Sequence, residues 1–243
     1  MDLRDQVHAE RHPWETVRFN AVCEELAPYV PSKGTIMDFG AGDAWFARSF
    51  AERFAEHALT IDCIDIVGPT EDETVGRSRV RRMQRPDRVA PPYDVLCLLD
   101  VLEHLPSDID VLRTLVQEHT RPGSTVMITV PAWPSLWSSH DAALGHYRRY
   151  THQSISKLIR DAGLTLEAHG GWFYGPIAAR LATVIRERLF GPAASDKPHS
   201  EWTWGPRMTR LVETVLTQDV RLSNLVAPKA RVPGLSWWGR CRV

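Results

Sequence analysis

The chemistry-bearing residues of this chain fall into two groups. The first is Ile36-Met37-Asp38-Phe39-Gly40-Ala41-Gly42-Asp43, where an apolar run ends in Gly-x-Gly and a helical pattern follows. Glycine permits a tight turn there and lets a ligand approach the backbone. The helix N-terminus beyond it offers free N–H groups and a positive dipole end, suited to an anion. A dinucleotide fingerprint needs a third glycine at position 45. That position is Trp45, which leaves little room for a pyrophosphate and favours a smaller anion such as an amino-acid carboxylate. Asp65 closes the next apolar alternation, 23 residues after Gly42. A carboxylate at that place can accept both hydroxyls of a ribose. Asp62 lies on the opposite face of the same strand by period-2 alternation.

The second group is Trp133, Trp137, His140, Asp141, His146, Tyr147, Arg148, Arg149, Tyr150 and Thr151, following the β-branched run that ends at Val130. A loop after a parallel strand borders the binding crevice of an open α/β sheet. With an ordinary pKa of about 6.5, His140 or His146 can take a proton from an attacking hydroxyl or amine. Asp141 is the adjacent carboxylate, and the aromatic and arginine side chains, with Trp14 and Tyr174, are candidates for acceptor binding. Two other readings stand beside this one. Glu103, His104, His140 and His146 could gather around a divalent cation, or the loop could simply tie itself down and cap the next helix.

These groups need a scaffold. Strand patterns at 35–39, 59–66, 80–83, 93–99, 125–130 and 164–169 alternate with helical patterns at 14–28, 43–56, 107–119 and 151–162. Such alternation predicts a mostly parallel sheet. Residues 67–78 are polar and show no apolar face. Two helical patterns at about 175–189 and 207–218 break the rhythm, and 234–243 reads as a last strand. The expectation is one domain over 1–243, with 1–34 as an N-terminal helical cap and 173–232 as a helical lid.

Three segments, Met37–Asp43, Cys63–Ile66 and Tyr93–Pro106, resemble class I S-adenosylmethionine (SAM)-dependent methyltransferases, with the last closest to the ubiquinone-biosynthesis-like subgroup. The likeness covers about residues 12–172, more loosely 234–243. It implies an α/β, Rossmann-like fold with a seven-stranded mostly parallel sheet, flanking helices and an antiparallel final hairpin. It implies SAM as cofactor and S-adenosylhomocysteine as product. Gly40 and Gly42 would then face the methionine part, Asp65 would hold the ribose, and Asp100 and Val101 would line the methyl-donor end, with Asp38, Ala41 and Ile66 as further cofactor-binding residues. The family often has an acid facing adenine after the third strand. Here Gln84 or Asp87 stands in that stretch. The His-containing loop is similar to one in bacterial methyltransferases of unknown acceptor. Small-RNA 3′-end methyltransferases share the Glu-His pair and use a divalent cation, but Asp100 stands where they carry glutamate.

Composition narrows the partners. The 243 residues are 43% apolar and 24% charged, with a formal net charge of -1, which counts against duplex nucleic acid as partner. Six arginines between Arg77 and Arg88 suggest a basic edge for an anionic acceptor or partner. The four cysteines form no CxxC pair and read as buried thiols of a reducing compartment. The polar N-terminus lacks a signal-peptide pattern and no apolar run spans a membrane, so the expectation is a cytoplasmic monomer or homodimer. The leading expectation is methylation of an O or N atom of a small natural-product or cofactor-like acceptor, without a required metal. An RNA end, a lipid-linked acceptor and a non-catalytic SAM-binding subunit are the alternatives. Trp45 disfavours an NAD-dependent oxidoreductase.

Overall fold

The computed structural model describes residues 11–86, 92–191, 202, 204–230 and 233–243, with side chains undescribed at 226–230. Asp87 and Arg88 lie outside the described residues. The helices are α1 (Pro13–Leu26), α2 (Trp45–Arg53), α3 (Asp108–His119), α4 (Ser139–Ala143), α5 (His152–Asp161), α6 (Pro176–Phe190) and α7 (Gly205–Ala230). The strands are β1 (Lys33–Phe39), β2 (Ala58–Ile64), β3 (Glu71–Val75), β4 (Ser78–Met83), β5 (Tyr93–Leu99), β6 (Thr120–Pro131), β7 (Thr165–Trp172) and β8 (Ser236–Arg242). They form one eight-stranded sheet in the order β3-β4-β2-β1-β5-β6-β8-β7. Pairings from β4 through β6 are parallel, and β8 runs antiparallel between β6 and β7.

The sheet has one strand more than the seven expected. The addition is β3, an edge strand joined to β4 by a two-residue turn at Gly76-Arg77, where Gly76 has φ 59°. Its sequence, Glu-Asp-Glu-Thr-Val, is poor in strand formers. Its acids face a basic partner instead. Arg79 pairs with Asp72, and Arg82 with Glu71 at 3.4 Å. Cross-strand opposite charges stabilise such pairs, and a charged edge resists association with other strands. Arg81 is also taken up, by Asp62 at 2.5 Å. Three of the six arginines of the expected basic edge, Arg79, Arg81 and Arg82, are therefore neutralised within the protein.

Neighbouring residues of a strand feed opposite layers, as the pleat requires. Ile36 joins the layer formed with α1, α2 and α7, around Val17, Leu26, Phe50, Trp172, Leu216 and Val220. Met37 joins the layer with α3 and α5, around Leu96, Leu112, Ile155 and Trp237. Burying each of these large side chains contributes about 1.5–3 kcal/mol. Cys23, Cys63, Cys97 and Cys241 are buried free thiols.

Two elements exceed their expected bounds by the most. β6 begins at Thr120, because the Pro122-Gly123 turn becomes a bulge: pairing with β5 steps from Tyr93↔Thr120 to Val95↔Thr125. α7 extends to Ala230, and its inward residues Leu216, Val220 and Ser223 pack on the sheet layer rather than standing apart from it. Among the described residues no helix is long and apolar enough to cross a membrane.

Candidate functional site

Every described polar group singled out for the cofactor lies at or just beyond the carboxyl end of a parallel strand. β1 delivers Asp38 and the Gly40-Ala41-Gly42 turn, β2 Asp65, β4 Gln84, and β5 Asp100 and Val101. The chain leaves β1 toward β2 on one side and returns to β5 on the other, so a crevice opens between the connections. The turn is built from left-handed residues: Gly40 at φ 78°, Gly42 at φ 54° and Ala44 at φ 62°. A Cβ on Gly40 would meet Val101 Cγ2 at 2.5 Å, whereas one on Gly42 would meet nothing within 4 Å. Gly40 is therefore fixed by the protein, and Gly42 borders open space. Asp43 Oδ1 accepts from Trp45 N at 3.1 Å and starts α2.

Asp65 Oδ2 accepts from Gly42 N at 2.8 Å and Oδ1 from Val67 N at 2.9 Å. It thus ties the β1 and β2 loops together at a half-exposed position. Ile66 and Gln84 are exposed beside it, Gln84 Nε2 donating to Gly68 O at 3.4 Å. Asp62, by contrast, is buried under Arg81 and the Tyr93 hydroxyl, 2.6 Å away.

A cavity of about 190 Å³ lies between this turn and α1, lined by Arg11, Arg18, Asp38, Gly40, Asp43 and Trp45 among others. Asp38 is buried and its Oδ2 has no hydrogen-bond partner among the described residues. Burial, reinforced by the charge of Asp65, pushes its carboxyl up to about 7, although Arg18 opposes the shift. Arg18 pairs with Asp100 Oδ2, and Thr129 Oγ1 donates to Asp100 Oδ1 at 2.9 Å. Asp100 takes φ 56°, a left-handed conformation that costs a non-glycine residue about 1–2 kcal/mol. Those two contacts and the bond from its N–H to Thr129 O at 3.0 Å hold it there. Arg11 pairs with Asp43 and sits 5.0 Å from the Trp45 ring centroid. Arg11 and Arg18 were not anticipated from sequence. Arg18 lies four residues before the buried Val22 on the same face of α1, which was the available signal for it, whereas Arg11 precedes the helix.

The loop after β6 is organised around Asp141, which is fully buried. Its carboxylate accepts from Arg149 Nε at 2.8 Å, from Arg180 of α6, from Ser138 N at 3.0 Å and pairs with His146 Nδ1 at 3.0 Å. Burial opposes its charge, but the His146 bond and the two guanidiniums outweigh it and hold the carboxyl well below its usual range. Asp141 is thus an internal anchor that fixes His146 through Nδ1. The His146 ring meets His104 edge-on, with centroids 4.6 Å apart. Glu103 lies beside them, buried, with Oε2 unpartnered, and burial raises its carboxyl to about 8. Ligand atoms of Glu103, His104 and His146 lie within 4.8 Å of one another. His140 is outside that cluster; burial and the charge of Arg180 lower its pKa.

The remaining acceptor candidates divide. Tyr150 is buried with its hydroxyl on Asp108 at 2.7 Å, and Arg148 binds Pro106 O at 2.7 Å and Asp108 at 3.0 Å. Arg149 also donates to Ala132 O at 2.9 Å. These three act as struts. Trp133, at φ 62°, donates through Nε1 to Pro233 O at 3.0 Å. Trp137 and Tyr147 are exposed. Trp14 stacks on Phe173 with centroids 3.7 Å apart, and Tyr174 N donates to Asp219 at 2.8 Å.

The parallel sheet with β8 threaded antiparallel between β6 and β7, and the glycine turn at the crevice, define a Rossmann-like methyltransferase fold. Comparison with known proteins agrees. Residues 14–169 match the family model described as a methyltransferase domain. A Mycobacterium sp. (strain JLS) protein described as an uncharacterized methyltransferase is 26% identical over 190 residues, covering 72% of this chain and 69% of the relative. Among solved structures, a SAM-dependent methyltransferase from Mesorhizobium loti matches with TM-score 0.52 and 13% identity, over 93% of this chain and 100% of that one. Phosphoethanolamine N-methyltransferase 2 of Haemonchus contortus, solved with SAM, matches with TM-score 0.52 and 13% identity over 93% of this chain and 52% of its own. The chain belongs to the methyltransferase-domain family, and it is an SAM-dependent methyltransferase.

Proposed function

We propose that the chain transfers the methyl group of SAM to an oxygen or nitrogen atom of a small natural-product or cofactor-like acceptor, with His146 as general base. The observation that carries this is the His146–Asp141 pair at 3.0 Å. A buried carboxylate on Nδ1 fixes the ring and stabilises its protonated form, leaving Nε2 to take a proton. In the same reading the cavity of about 190 Å³ is sized for the methionine part alone, since whole drug-sized ligands occupy about 300 Å³ or more. Its carboxylate meets Arg11 and Arg18, and its ammonium meets the unpartnered Asp38 Oδ2. The ribose lies on Asp65 and the adenine over Ile66 and Gln84. Much of the rate comes from in-line alignment and exclusion of water. Four buried free thiols support a cytoplasmic setting.

One observation favours a second reading. Glu103, His104 and His146 have the donor types of a divalent-cation site, and the Asp141 bond to His146 is the outer contact such ligands commonly have. A cation there would polarise the acceptor. The test is turnover of labelled SAM with an acceptor panel, before and after dialysis against a chelator. The base reading expects unchanged turnover. Loss restored by manganese or magnesium replaces it with the cation reading. Calorimetric titration with S-adenosylhomocysteine, with NAD as control, should show micromolar binding of the former alone; no binding by folded protein overturns the assignment of the cleft.

A further inference from the structure

The outer faces of α6 and α7 are each apolar and flanked by arginines. On α6, Leu181, Ile185 and Leu189 recur every four residues and are exposed; Leu189 is 70% exposed and the adjoining Phe190 82%. The inward side is occupied differently: Val184 is buried, Arg180 reaches Asp141, and Glu187 accepts from Ser139 N at 2.9 Å and Oγ at 2.8 Å. On α7 the exposed set is Met208, Leu211, Val215, Leu222 and Leu225, with Trp204 one turn ahead. Spacings of three, four and seven put them on one stripe. Its opposite side carries Leu216, Val220 and Ser223, all buried.

The charges decide what covers these faces. Among the described residues of α6 and α7 every exposed charged side chain is an arginine: Arg186, Arg188, Arg207, Arg210 and Arg221. The acids of the two helices are half-buried. Asp219 accepts from Tyr174 N at 2.8 Å and Gly175 N at 3.0 Å, and Glu187 is held by Ser139. A second copy of the chain pairing face to face would set arginine against arginine, with no exposed acid on these helices to meet it.

We infer that α6 and α7 dock on an anionic lipid surface, with the apolar stripes in the interfacial layer and the arginines among the headgroups. An apolar stripe flanked by basic residues is the pattern of helices that lie in a membrane interface. Arginine stems cover apolar surface while their heads reach phosphate. Each basic residue near an anionic surface strengthens binding by roughly fivefold, so five supply a large, salt-sensitive contribution. Docking has a consequence for the reaction, which rests on the methyltransferase reading: α6 is bonded to the His146 loop through Arg180 and Glu187. An acceptor partitioned into the bilayer meets that loop without leaving the lipid surface.

The test is co-sedimentation of the full chain with phosphatidylcholine vesicles containing about one-third phosphatidylglycerol, and with pure phosphatidylcholine vesicles. Binding to the mixed vesicles, at least tenfold weaker to the neutral ones and largely released by high salt, is the expected result. Leu189→Asp combined with Leu211→Asp should reduce partitioning at least tenfold while leaving the melting curve and S-adenosylhomocysteine affinity unchanged. Replacing Arg186, Arg188, Arg207, Arg210 and Arg221 by Gln should abolish the preference for anionic vesicles. Folded wild-type protein that stays in the supernatant overturns the proposal. So does equal partitioning of the aspartate variant, or light scattering that shows a dimer broken by the same substitutions without vesicle binding. Because the readout is lipid binding, failure here leaves the methyl-transfer reading standing, and failure to bind S-adenosylhomocysteine leaves this one standing.

Discussion

Asp38 and Asp141, the buried aspartates of the two candidate halves of the site, are treated in opposite ways. At the cofactor end Asp38 is buried with an unpartnered oxygen and its carboxyl is raised to about 7. At the acceptor end Asp141 is buried just as deeply but is saturated by Arg149, Arg180, Ser138 N and His146, and its carboxyl is held low. A saturated carboxylate builds a loop; an unsatisfied one is costly to fold and is retained where a ligand supplies the missing partner. Asp38 Oδ2 thus has no partner among the described residues, whereas Asp141 frames the loop that presents the His146 ring.

The largest expected effect lies at that ring. His146→Ala should lower kcat by roughly 10²–10⁴, the usual contribution of a positioned general base, with S-adenosylhomocysteine affinity unchanged. His140→Ala, outside the cluster, should cost far less. If both variants turn over at the wild-type rate, the acceptor end has no proton acceptor and alignment alone drives transfer.

Removing the frame should cost stability rather than affinity. Asp141→Ala leaves the Arg149 and Arg180 charges half-buried without their partner, a loss of about 3–5 kcal/mol for a broken buried pair. That corresponds to a fall of roughly 10 °C in Tm by calorimetry. A Tm within a degree or two of wild type would show that the network is solvated in solution and would erase the contrast with Asp38.

The cofactor end should behave in reverse. Asp65→Ala removes two charged hydrogen-bond acceptors for a ribose, and affinity for S-adenosylhomocysteine should fall by roughly 10–100-fold in calorimetric titration. Tm should change little, because Gly42 N and Val67 N sit at exposed positions where water replaces the carboxylate. Undiminished affinity in the folded variant would remove Asp65 from the cofactor site.

How much of this was legible in the sequence follows the same division. The glycine turn, Asp65 and the strand Tyr93–Leu99 depend on local pattern, and that strand has the bounds its apolar run predicted. β3 escaped because its pairing rests on charges matched to β4 rather than on apolar alternation. Arg18 escaped because its partner Asp100 is 82 residues away and only the closed fold brings them together. Asp141 was visible as a polar residue beside His140, but its burial depends on Arg180, 39 residues on and in a different helix. Local chemistry reads from the chain; saturation of a buried group is a tertiary property.

The last test of the contrast is one of sign. A carboxyl ordinarily titrates near 4, and folded Asp38 titrates near 7. Between those values the folded chain keeps a proton the unfolded chain has released, so stability must fall as pH rises from about 4 to about 7 and then level off. Glu103, also raised by burial, adds a similar slope reaching about 8. Tm of the ligand-free protein should therefore decline across this range, and Asp38→Asn should flatten the decline while Glu103 leaves a residue of it. S-adenosylhomocysteine, whose ammonium favours ionised Asp38, should bind more tightly as pH rises through 7 in the wild type and show a weaker trend in Asp38→Asn. Identical pH profiles for the two proteins, in Tm and in affinity alike, would mean that Asp38 is ionised throughout and already partnered, and the contrast with Asp141 would fall.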